Sequence, residues 1–191
     1  STKKFTNVCY LVILWRTLFF KKYPLESPIF TNIRKSFVSK AITTVVMALL
    51  TKDFLIFVNI GDSSGYVLKN KVLHKITKEH TLVNFLVETG ELTPEEAINH
   101  PKKNVLMKAL GASEKQELDI FDVDPNVDAI LLVTDGLTNM LTMDQVEKVL
   151  NDDELKYEDK LIKLIKKCNA RGWTDNISIA YLVKDSDISD N

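Results

Sequence analysis

Two apolar runs separated by only three polar residues constrain the fold of this chain more than any other feature. Residues 42–50 are rich in β-branched and other apolar side chains, residues 51–53 are Thr-Lys-Asp, and residues 54–60 are apolar again. A connection this short joins neighbouring antiparallel strands, so the pattern predicts a β-hairpin. Residues 66–68 and 72–76, joined by a second short polar turn, predict another antiparallel pair.

The remaining elements alternate between strand patterns and helix patterns. Further strands are predicted at residues 118–123, 129–134 and 177–183. Helices are predicted at residues 81–88, from Thr93 onward with a capping box, and at residues 142–150 and 153–169. Hairpins in series, rather than strands alternating with crossover helices, predict an α+β fold in which mainly antiparallel sheets are covered by amphipathic helices.

Composition and charge narrow the class of protein. At 191 residues with 45% hydrophobic content, the chain suits one globular domain, which we expect to span residues 1–191. Its 25 basic and 26 acidic residues leave a net charge of −1, so no overall field attracts it to nucleic acid or to an anionic membrane. The sequence has neither of the two glycine-rich phosphate-binding patterns, which argues against nucleotide-binding classes, including kinases.

The cysteines and the first apolar run indicate an intracellular protein. Cys9 and Cys168 lie far apart and neither belongs to a metal-ligand spacing, so a reducing cytoplasm is the expected compartment. Residues 8–14 are apolar, but Arg16 interrupts the run and no small-residue cleavage site follows. Because the run is also too short to cross a bilayer, we expect a buried strand leading into a helix rather than a membrane or export segment.

Two aspartates stand at the ends of predicted buried strands. Asp135 follows the apolar run 129–134, and Asp175 precedes the run 177–183. A strand fixes the position of its terminal side chain, which is what a hard divalent cation requires of carboxylate ligands. The pair therefore predicts a metal site, although Asp-Gly and Asp-Asn are also common turn dipeptides and either aspartate alone is compatible with a turn.

Short blocks in a fixed order extend this pattern over most of the chain. They are Gly61-Asp62-Ser63, residues 90–94, residues 99–111, Thr134-Asp135-Gly136 and Asp175-Asn176-Ile177. In this order they resemble the bacterial metal-dependent protein phosphatases of the type 2C, or PPM, family, and the resemblance runs from about residue 42 to residue 183. The resemblance implies a layered α-β-β-α sandwich and the hydrolysis of phosphoserine and phosphothreonine in proteins.

The resemblance also implies a set of metal ligands. Asp135 with Gly136 and Asp175 match the positions that hold one active-site cation, and Asp62 together with Asp135 matches the carboxylate pair of a third-metal site. Two or three Mn²⁺ or Mg²⁺ ions are implied, and both metals prefer oxygen ligands and several waters. A water activated by metal would be the nucleophile, so no side chain is assigned a covalent catalytic role.

Residues 80–111 resemble the flap of this family, a helical insertion beside the active site that is thought to influence substrate access. Its polar candidates for substrate contact are His80, Asn99, His100 and Asn104. His100 precedes Pro101, so a role in capping or turning the chain is the competing interpretation. Ser64 stands where relatives often carry arginine, and the expected cost of that departure is a structural ion pair.

The first part of the chain departs from the family pattern. Relatives carry an early phosphate-binding arginine, a Glu-Asp pair and an Asp-Gly-Met-Gly-Gly loop, and none of these occurs before Ile42. Two hypotheses are open at this point. The sequence could join ordered pieces across missing loops, with breaks near residues 13–14 and 41–42, or the chain could be an inactive pseudophosphatase or binding module with half a metal site.

The partners implied by the resemblance are phosphorylated protein substrates and a cognate Ser/Thr kinase that opposes the phosphatase. We expect a monomer with no nucleic-acid or membrane partner. No spacing in the sequence encodes the identity of the substrate protein or a preference for Mg²⁺ over Mn²⁺.

Overall fold

The computed structural model of the chain describes the backbone of residues 10–15 and the residues 42–113, 117–172 and 175–184. The strands are β1 (Tyr10–Trp15), β2 (Val45–Leu50), β3 (Leu55–Ile60), β4 (Ser64–Lys69), β5 (Val72–Lys75), β6 (Asp119–Val123), β7 (Ala129–Val133) and β8 (Ile179–Val183). The helices are α1 (Leu82–Glu88), α2 (Pro94–Ile98), α3 (Asp135–Thr138), α4 (Met143–Leu150) and α5 (Tyr157–Ala170). The strands form two four-stranded antiparallel sheets, in the orders β1-β2-β3-β6 and β5-β4-β7-β8.

The first sheet is built on the hairpin that the sequence predicts. β2 pairs with β3 from end to end, and β6 completes the sheet beside β3. β1 pairs with β2 along its whole length. The break expected near residues 13–14 stays a prediction. The second expected break includes residue 41, and the helix expected after β1 falls in residues 16–41, all outside the described part of the chain.

The register of the second sheet brings the ends of three strands together at one end of the sheet. β4 pairs with β5, which confirms the second predicted hairpin, and on its other side with β7, where Ser64 lies opposite Val133. β8 then pairs with β7, and Ile179 lies opposite the same Val133. The start of β4, the end of β7 and the start of β8 therefore lie side by side.

The two sheets face each other across an apolar core. The residues that meet there are Val46, Ala48, Leu55 and Phe57 of the first sheet and Val67, Ile130 and Leu132 of the second. Side chains alternate between the faces of a strand, so every second residue of β2, β3 and β7 enters this core. Burial of these side chains from water is the main force that holds one sheet on the other.

Helices cover the outer face of the second sheet. Tyr66, Leu131 and Val133 of that face contact Leu137 of α3, Val146, Val149 and Leu150 of α4, and Leu164 and Cys168 of α5. The spacing of three to four residues in α4 and α5 places their apolar side chains on one helix face. The predicted sandwich of two antiparallel sheets with flanking helices is confirmed. Within the described residues, no helix has the length and apolar character needed to cross a membrane.

Three elements near the C-terminal end differ from the sequence prediction. α3 is a one-turn helix directly after β7, where the sequence predicts only a strand end followed by Asp-Gly. α5 begins at Tyr157 rather than at residue 153, because the preceding residues form a turn in which the Leu155 backbone N–H donates to the Asp152 carbonyl oxygen at 3.2 Å. β8 begins at Ile179, two residues later than predicted.

Candidate active site

Three aspartate-bearing segments meet at one end of the second sheet, where β4 and β8 begin and β7 ends. We call this region the aspartate edge, and it consists of residues 61–63, 134–136 and 175–176. Asp62 lies just before the start of β4, and Asp135 lies just after the end of β7. Asp175 lies in the segment that leads into β8. Because these three strand ends are neighbours in the sheet register, the fold brings together the segments that the sequence separates by up to 113 residues.

The segment that carries Asp62 is a tight connection between the two sheets. Gly61 has a φ of +111°, and a Cβ atom at this position would lie 2.3 Å from Cγ2 of Thr44, so only glycine fits here. The hydroxyl groups of Thr44 and Ser63 are hydrogen-bonded at 3.1 Å, and both residues are buried. Asp62 itself is only 7% exposed, so the connection holds its carboxylate in a fixed and largely enclosed position.

The segments that carry Asp135 and Asp175 lie directly against each other. The Thr134 backbone N–H donates to the Ser178 carbonyl oxygen at 3.1 Å, and the Ser178 N–H donates back to Oγ1 of Thr134 at 3.0 Å. Gly136 lies so close to the next segment that a Cβ atom would be 2.3 Å from the carbonyl oxygen of Asn176. The absence of a side chain at residue 136 is thus what lets the Asp135 segment approach the Asp175 segment.

The donor chemistry of the aspartate edge fits a hard divalent cation. Its candidate ligands are carboxylate and backbone carbonyl oxygens, and Asp135 and Asp175 are partly exposed while Asp62 is buried. Among the residues that the structure describes, no group of three or more His, Cys, Asp or Glu side chains is gathered closely enough to hold a metal. Mg²⁺ and Mn²⁺ suit such an arrangement, because they are commonly bound by one or two carboxylates and keep several of their waters.

The predicted flap leaves and rejoins the body of the protein at a narrow base. Thr81 and Leu106 form an isolated antiparallel bridge, and Thr43 and Leu110 form a second one beside the start of β2. Between Thr81 and Leu106 lie α1, capped by Thr81, and α2, which begins with the predicted capping box between Thr93 and Glu96. Residues 80–111, for which we keep the name flap, therefore contain two short helices on a hydrogen-bonded base.

His80 occupies a position that sequence reasoning did not anticipate. It lies at the flap base and is 8% exposed, and its Nδ1 accepts a hydrogen bond from the Gly61 backbone N–H at 3.0 Å. Its Nε2 lies 2.9 Å from Oδ2 of Asp119 on β6. No local pattern around His80 could have revealed this role, because both partners are distant in the sequence.

Asp119 is held in its charged form by its neighbours. Burial opposes ionisation of this carboxyl group, but the hydrogen bond with His80 and the nearby ammonium groups of Lys108 and Lys78 outweigh that effect and lower the pKa of Asp119. Nζ of Lys108 lies 3.7 Å from Oδ1 of Asp119. The imidazole of His80 therefore faces a carboxylate.

The other predicted flap residues lie nearer the solvent. Asn99 is the exposed C-cap of α2, and Asn104 is exposed. Nδ1 of His100 accepts a hydrogen bond from the Lys102 backbone N–H at 3.1 Å, which is the turn role that the sequence offered as an alternative. Asn99 and Asn104 are exposed and His100 is half-buried, whereas His80 is buried at the flap base, so the four residues do not share one environment.

Ser64, where relatives often carry arginine, contacts a local ion pair. Oγ of Ser64 donates a hydrogen bond to Oε1 of Glu79 at 2.9 Å, and the same carboxylate oxygen pairs with Nζ of Lys75. Burial opposes the charge on Lys75, but the carboxylate of Glu79 prevails and raises the pKa of the lysine. Ser64 thus contacts a carboxylate whose counter-ion is Lys75.

Comparisons with known proteins agree with this architecture. The protein phosphatase 2C family profile matches residues 31–177. A serine/threonine phosphatase of Listeria monocytogenes is 41% identical over 144 residues, which are 75% of this chain and 57% of the relative. Protein phosphatase PhpP of Streptococcus pneumoniae is 34% identical over 141 residues, which are 73% of this chain and 57% of the relative. The chain thus spans little more than half the length of these relatives.

Solved structures of bacterial phosphatases share the same fold. The crystal structure of serine/threonine phosphatase Stp1 from Staphylococcus aureus aligns with a TM-score of 0.73 and 29% identity, covering 81% of this chain and 62% of the other. The serine/threonine phosphatase PstP/Ppp of Mycobacterium tuberculosis aligns with a TM-score of 0.66 and 31% identity, covering 75% of this chain and 61% of the other. With most of its length matched by the family profile, the chain belongs to the protein phosphatase 2C family.

Proposed function

We propose that this protein is a metal-dependent phosphatase that removes phosphate from phosphoserine and phosphothreonine in proteins. The observation that carries the proposal is the aspartate edge, where the register of β4, β7 and β8 puts the segments of Asp62, Asp135 and Asp175 side by side. Relatives from Listeria monocytogenes and Staphylococcus aureus that are named serine/threonine phosphatases support the same activity.

In this proposal Asp135, Gly136 and Asp175 hold one cation, and Asp62 with Asp135 contributes to a further site. The chain would bind two or three cations, which are either Mn²⁺ or Mg²⁺. When bound, such cations offset the negative charge of a phosphate monoester and lower the pKa of a bound water to near neutrality, which supplies a nucleophile. No covalent protein nucleophile is then required.

The protein's own residues hold the candidate carboxylate ligands in position. Thr134 and Ser178 fix the end of β7 against the start of β8 through a reciprocal pair of hydrogen bonds. Gly136 permits the close approach of the Asp135 segment to Asn176, and Gly61 permits the sharp connection that presents Asp62. Carboxylates held by strand ends need little reorganisation when a cation binds, which favours both affinity and catalysis.

The partners and setting of this activity follow from the same proposal. The substrates are phosphorylated proteins, with a cognate Ser/Thr kinase as the opposing enzyme, and the phosphatase acts as a monomer in the cytoplasm. The flap would govern which substrates reach the aspartate edge, with Asn99, His100 and Asn104 as candidate contacts. We treat residues 80–111 as this flap within one domain that spans residues 1–191.

The test is the hydrolysis of a phosphothreonine peptide, measured with and without added Mn²⁺. We expect turnover that depends on Mn²⁺ and falls by about 100-fold or more in Asp135→Ala and Asp175→Ala, since a cation site supplies several kcal/mol of transition-state stabilisation. Asp53→Ala is the matched control, because Asp53 lies in the turn at the opposite end of β3 with a side chain that is 69% exposed. This variant should keep the wild-type rate.

Two results would overturn the proposal in different ways. Equal rates in the wild type, Asp135→Ala and Asp175→Ala would refute the assignment of the aspartates. Binding of Mn²⁺ by the wild-type protein without any turnover would instead identify a pseudophosphatase or binding module. Calorimetric titration with Mn²⁺ alone measures that binding independently of turnover.

A further inference from the structure

His80 makes hydrogen bonds from both its side chain and its backbone to the connection that carries Asp62. Nδ1 of His80 accepts from the Gly61 N–H at 3.0 Å, and the His80 backbone N–H donates to the Gly61 carbonyl oxygen at 2.9 Å. The side chain of His80 is only 6% exposed, so water competes little for these bonds. Gly61 is thereby held at both its donor and its acceptor by one residue.

The hydrogen bond from Gly61 determines the tautomer of the imidazole. A ring nitrogen that accepts a hydrogen bond carries a lone pair, so in the neutral ring the proton resides on Nε2. This N–H points at Oδ2 of Asp119, 2.9 Å away, and donates to it. Asp119 therefore orients the ring so that its acceptor nitrogen faces Gly61, in the way that a carboxylate orients a histidine in many functional sites.

The backbone of His80 also joins the two ends of the flap. Its carbonyl oxygen accepts a hydrogen bond from the Met107 N–H at 2.8 Å. The Leu82 N–H donates to the Val105 carbonyl oxygen at 2.8 Å, so these two hydrogen bonds form the bridge between Thr81 and Leu106. The segment that enters the flap is thus paired with the segment that leaves it. A movement of the flap base that displaced residue 80 would also displace its contacts with Gly61.

We propose that His80 is a positioning residue that joins the Asp62 connection to the base of the flap, so that cation binding at Asp62 and the position of the flap are coupled. The role of His80 in cation binding rests on the proposed phosphatase function. The hydrogen-bonded link from Gly61 through His80 to the flap base does not. The proposal gives His80 no contact with the substrate. It acts through the Gly61 backbone.

Two substitutions separate the two side-chain hydrogen bonds of His80. In His80→Asn the amide oxygen can occupy the position of Nδ1 and accept from Gly61, but the bond to Asp119 is lost. In His80→Gln the amide nitrogen can reach the position of Nε2 and donate to Asp119, but the bond from Gly61 is lost. Each variant removes one buried hydrogen bond, so a merely structural role predicts similar effects of both. His74→Asn is the control, because His74 is exposed on β5.

The first measurement is amide hydrogen exchange in the metal-free protein, followed at Gly61 and Met107. We expect exchange at both amides to be about tenfold faster in His80→Gln than in the wild type, and close to the wild-type rate in His80→Asn and His74→Asn. The second measurement is the Mn²⁺ concentration that gives half-maximal phosphopeptide turnover. It should rise by about tenfold in His80→Gln, with a smaller change in the KM for the peptide, and should be restored in His80→Asn.

Equal changes in the two variants, or unchanged exchange at Gly61 in His80→Gln, would overturn the proposal. If the wild-type protein does not hydrolyse the peptide, the proposed function fails while the exchange data still decide whether the link exists. Should the variants fold poorly, the wild-type protein itself provides the test. A scalar coupling across the hydrogen bond between the Gly61 amide nitrogen and Nδ1 of His80 is expected, and its absence would contradict the link.

Discussion

The aspartate edge and the flap are held in place by different kinds of contact. At the aspartate edge, Thr134 is buried and bonded to Ser178, and Gly136 lies in backbone contact range of Asn176. On the flap, α1 buries Val83, and α2 buries none of its residues. The aspartate edge is fixed by sheet register and close packing, whereas the flap is fixed mainly by hydrogen bonds at its base.

In the proposed function, this difference separates the placement of the cation ligands from the control of substrate access. Chemistry that depends on cation ligands benefits from a rigid scaffold, because a small displacement of a carboxylate weakens the site. A segment with few buried contacts opens at a low cost in free energy and can adapt to varied substrates. The two regions should therefore respond differently to substitution.

The largest effect is expected from a single methyl group at the aspartate edge. Gly136→Ala would place Cβ 2.3 Å from the carbonyl oxygen of Asn176, which is backbone and cannot turn aside as a side chain can. We expect a loss of at least about 2 kcal/mol in the free energy of unfolding and a drop of about 100-fold in phosphopeptide turnover. Urea denaturation and the Mn²⁺-dependent assay measure the two effects.

Gly90→Ala, at the end of α1, is the matched substitution on the flap. Gly90 has a φ of +77°, but a Cβ atom there would meet no other atom within 4 Å. The cost should be about 1 kcal/mol of backbone strain, with turnover within a few-fold of the wild type. If Gly90→Ala were as damaging as Gly136→Ala, the contrast between the regions would be wrong.

A smaller effect is expected at Asp119, which contacts the flap base from the first sheet. Removing the carboxylate in Asp119→Ala leaves the buried Nε2–H of His80 unsatisfied, and we expect a loss of about 1–2 kcal/mol at pH 7. Because the pKa of Asp119 is lowered in the folded protein, its stabilising effect is complete above about pH 4 and is lost as the pH falls through the folded value. The difference between the wild type and Asp119→Ala should therefore shrink between pH 7 and pH 3.

Urea denaturation at several pH values measures this difference. Asp122→Ala is the control, because Asp122 lies on the same strand with an exposed side chain. A difference between the wild type and Asp119→Ala that stayed constant down to pH 3 would show that the carboxylate of Asp119 gains no stabilisation from His80 or from Lys108.

The smallest global effect is expected at the outer part of the flap. Thr93→Ala removes the oxygen that accepts from the Glu96 N–H, a cap worth about 1 kcal/mol to the helix. Since α2 buries none of its residues, the loss should appear as faster hydrogen exchange in residues 95–98, by about fivefold, without a change in the midpoint of thermal unfolding. Thr93→Ser keeps the acceptor oxygen and should behave like the wild type. A lower midpoint in Thr93→Ala would mean that α2 is part of the cooperative core.

The sequence was sufficient to predict the strands and the sandwich. β2, β3, β4, β5 and β7 each follow a run of apolar residues bounded by polar turns, and these local patterns determine where strands form. The sequence also indicated that the segments of Asp135 and Asp175 belong together, because each lies beside a predicted buried strand. Family resemblance then added Asp62, which no apolar pattern identifies.

Other features depend on contacts that the sequence does not encode locally. The one-turn helix α3 was missed because Thr134, Asp135 and Gly136 are also typical of a turn. The linking role of His80 was missed because it requires Gly61 and Asp119 to meet at the flap base, which only the assembled sheets bring about. The approach of Gly136 to Asn176 likewise depends on the pairing of β7 with β8.

The most direct test of a shared cation site at the aspartate edge is anomalous diffraction from crystals grown with Mn²⁺. We expect an anomalous peak with carboxylate oxygens of Asp135 and Asp175 at roughly 2 Å, and the loss of that peak in Asp135→Ala. A manganese ion bound only elsewhere on the protein, with the two carboxylates directed apart, would contradict it.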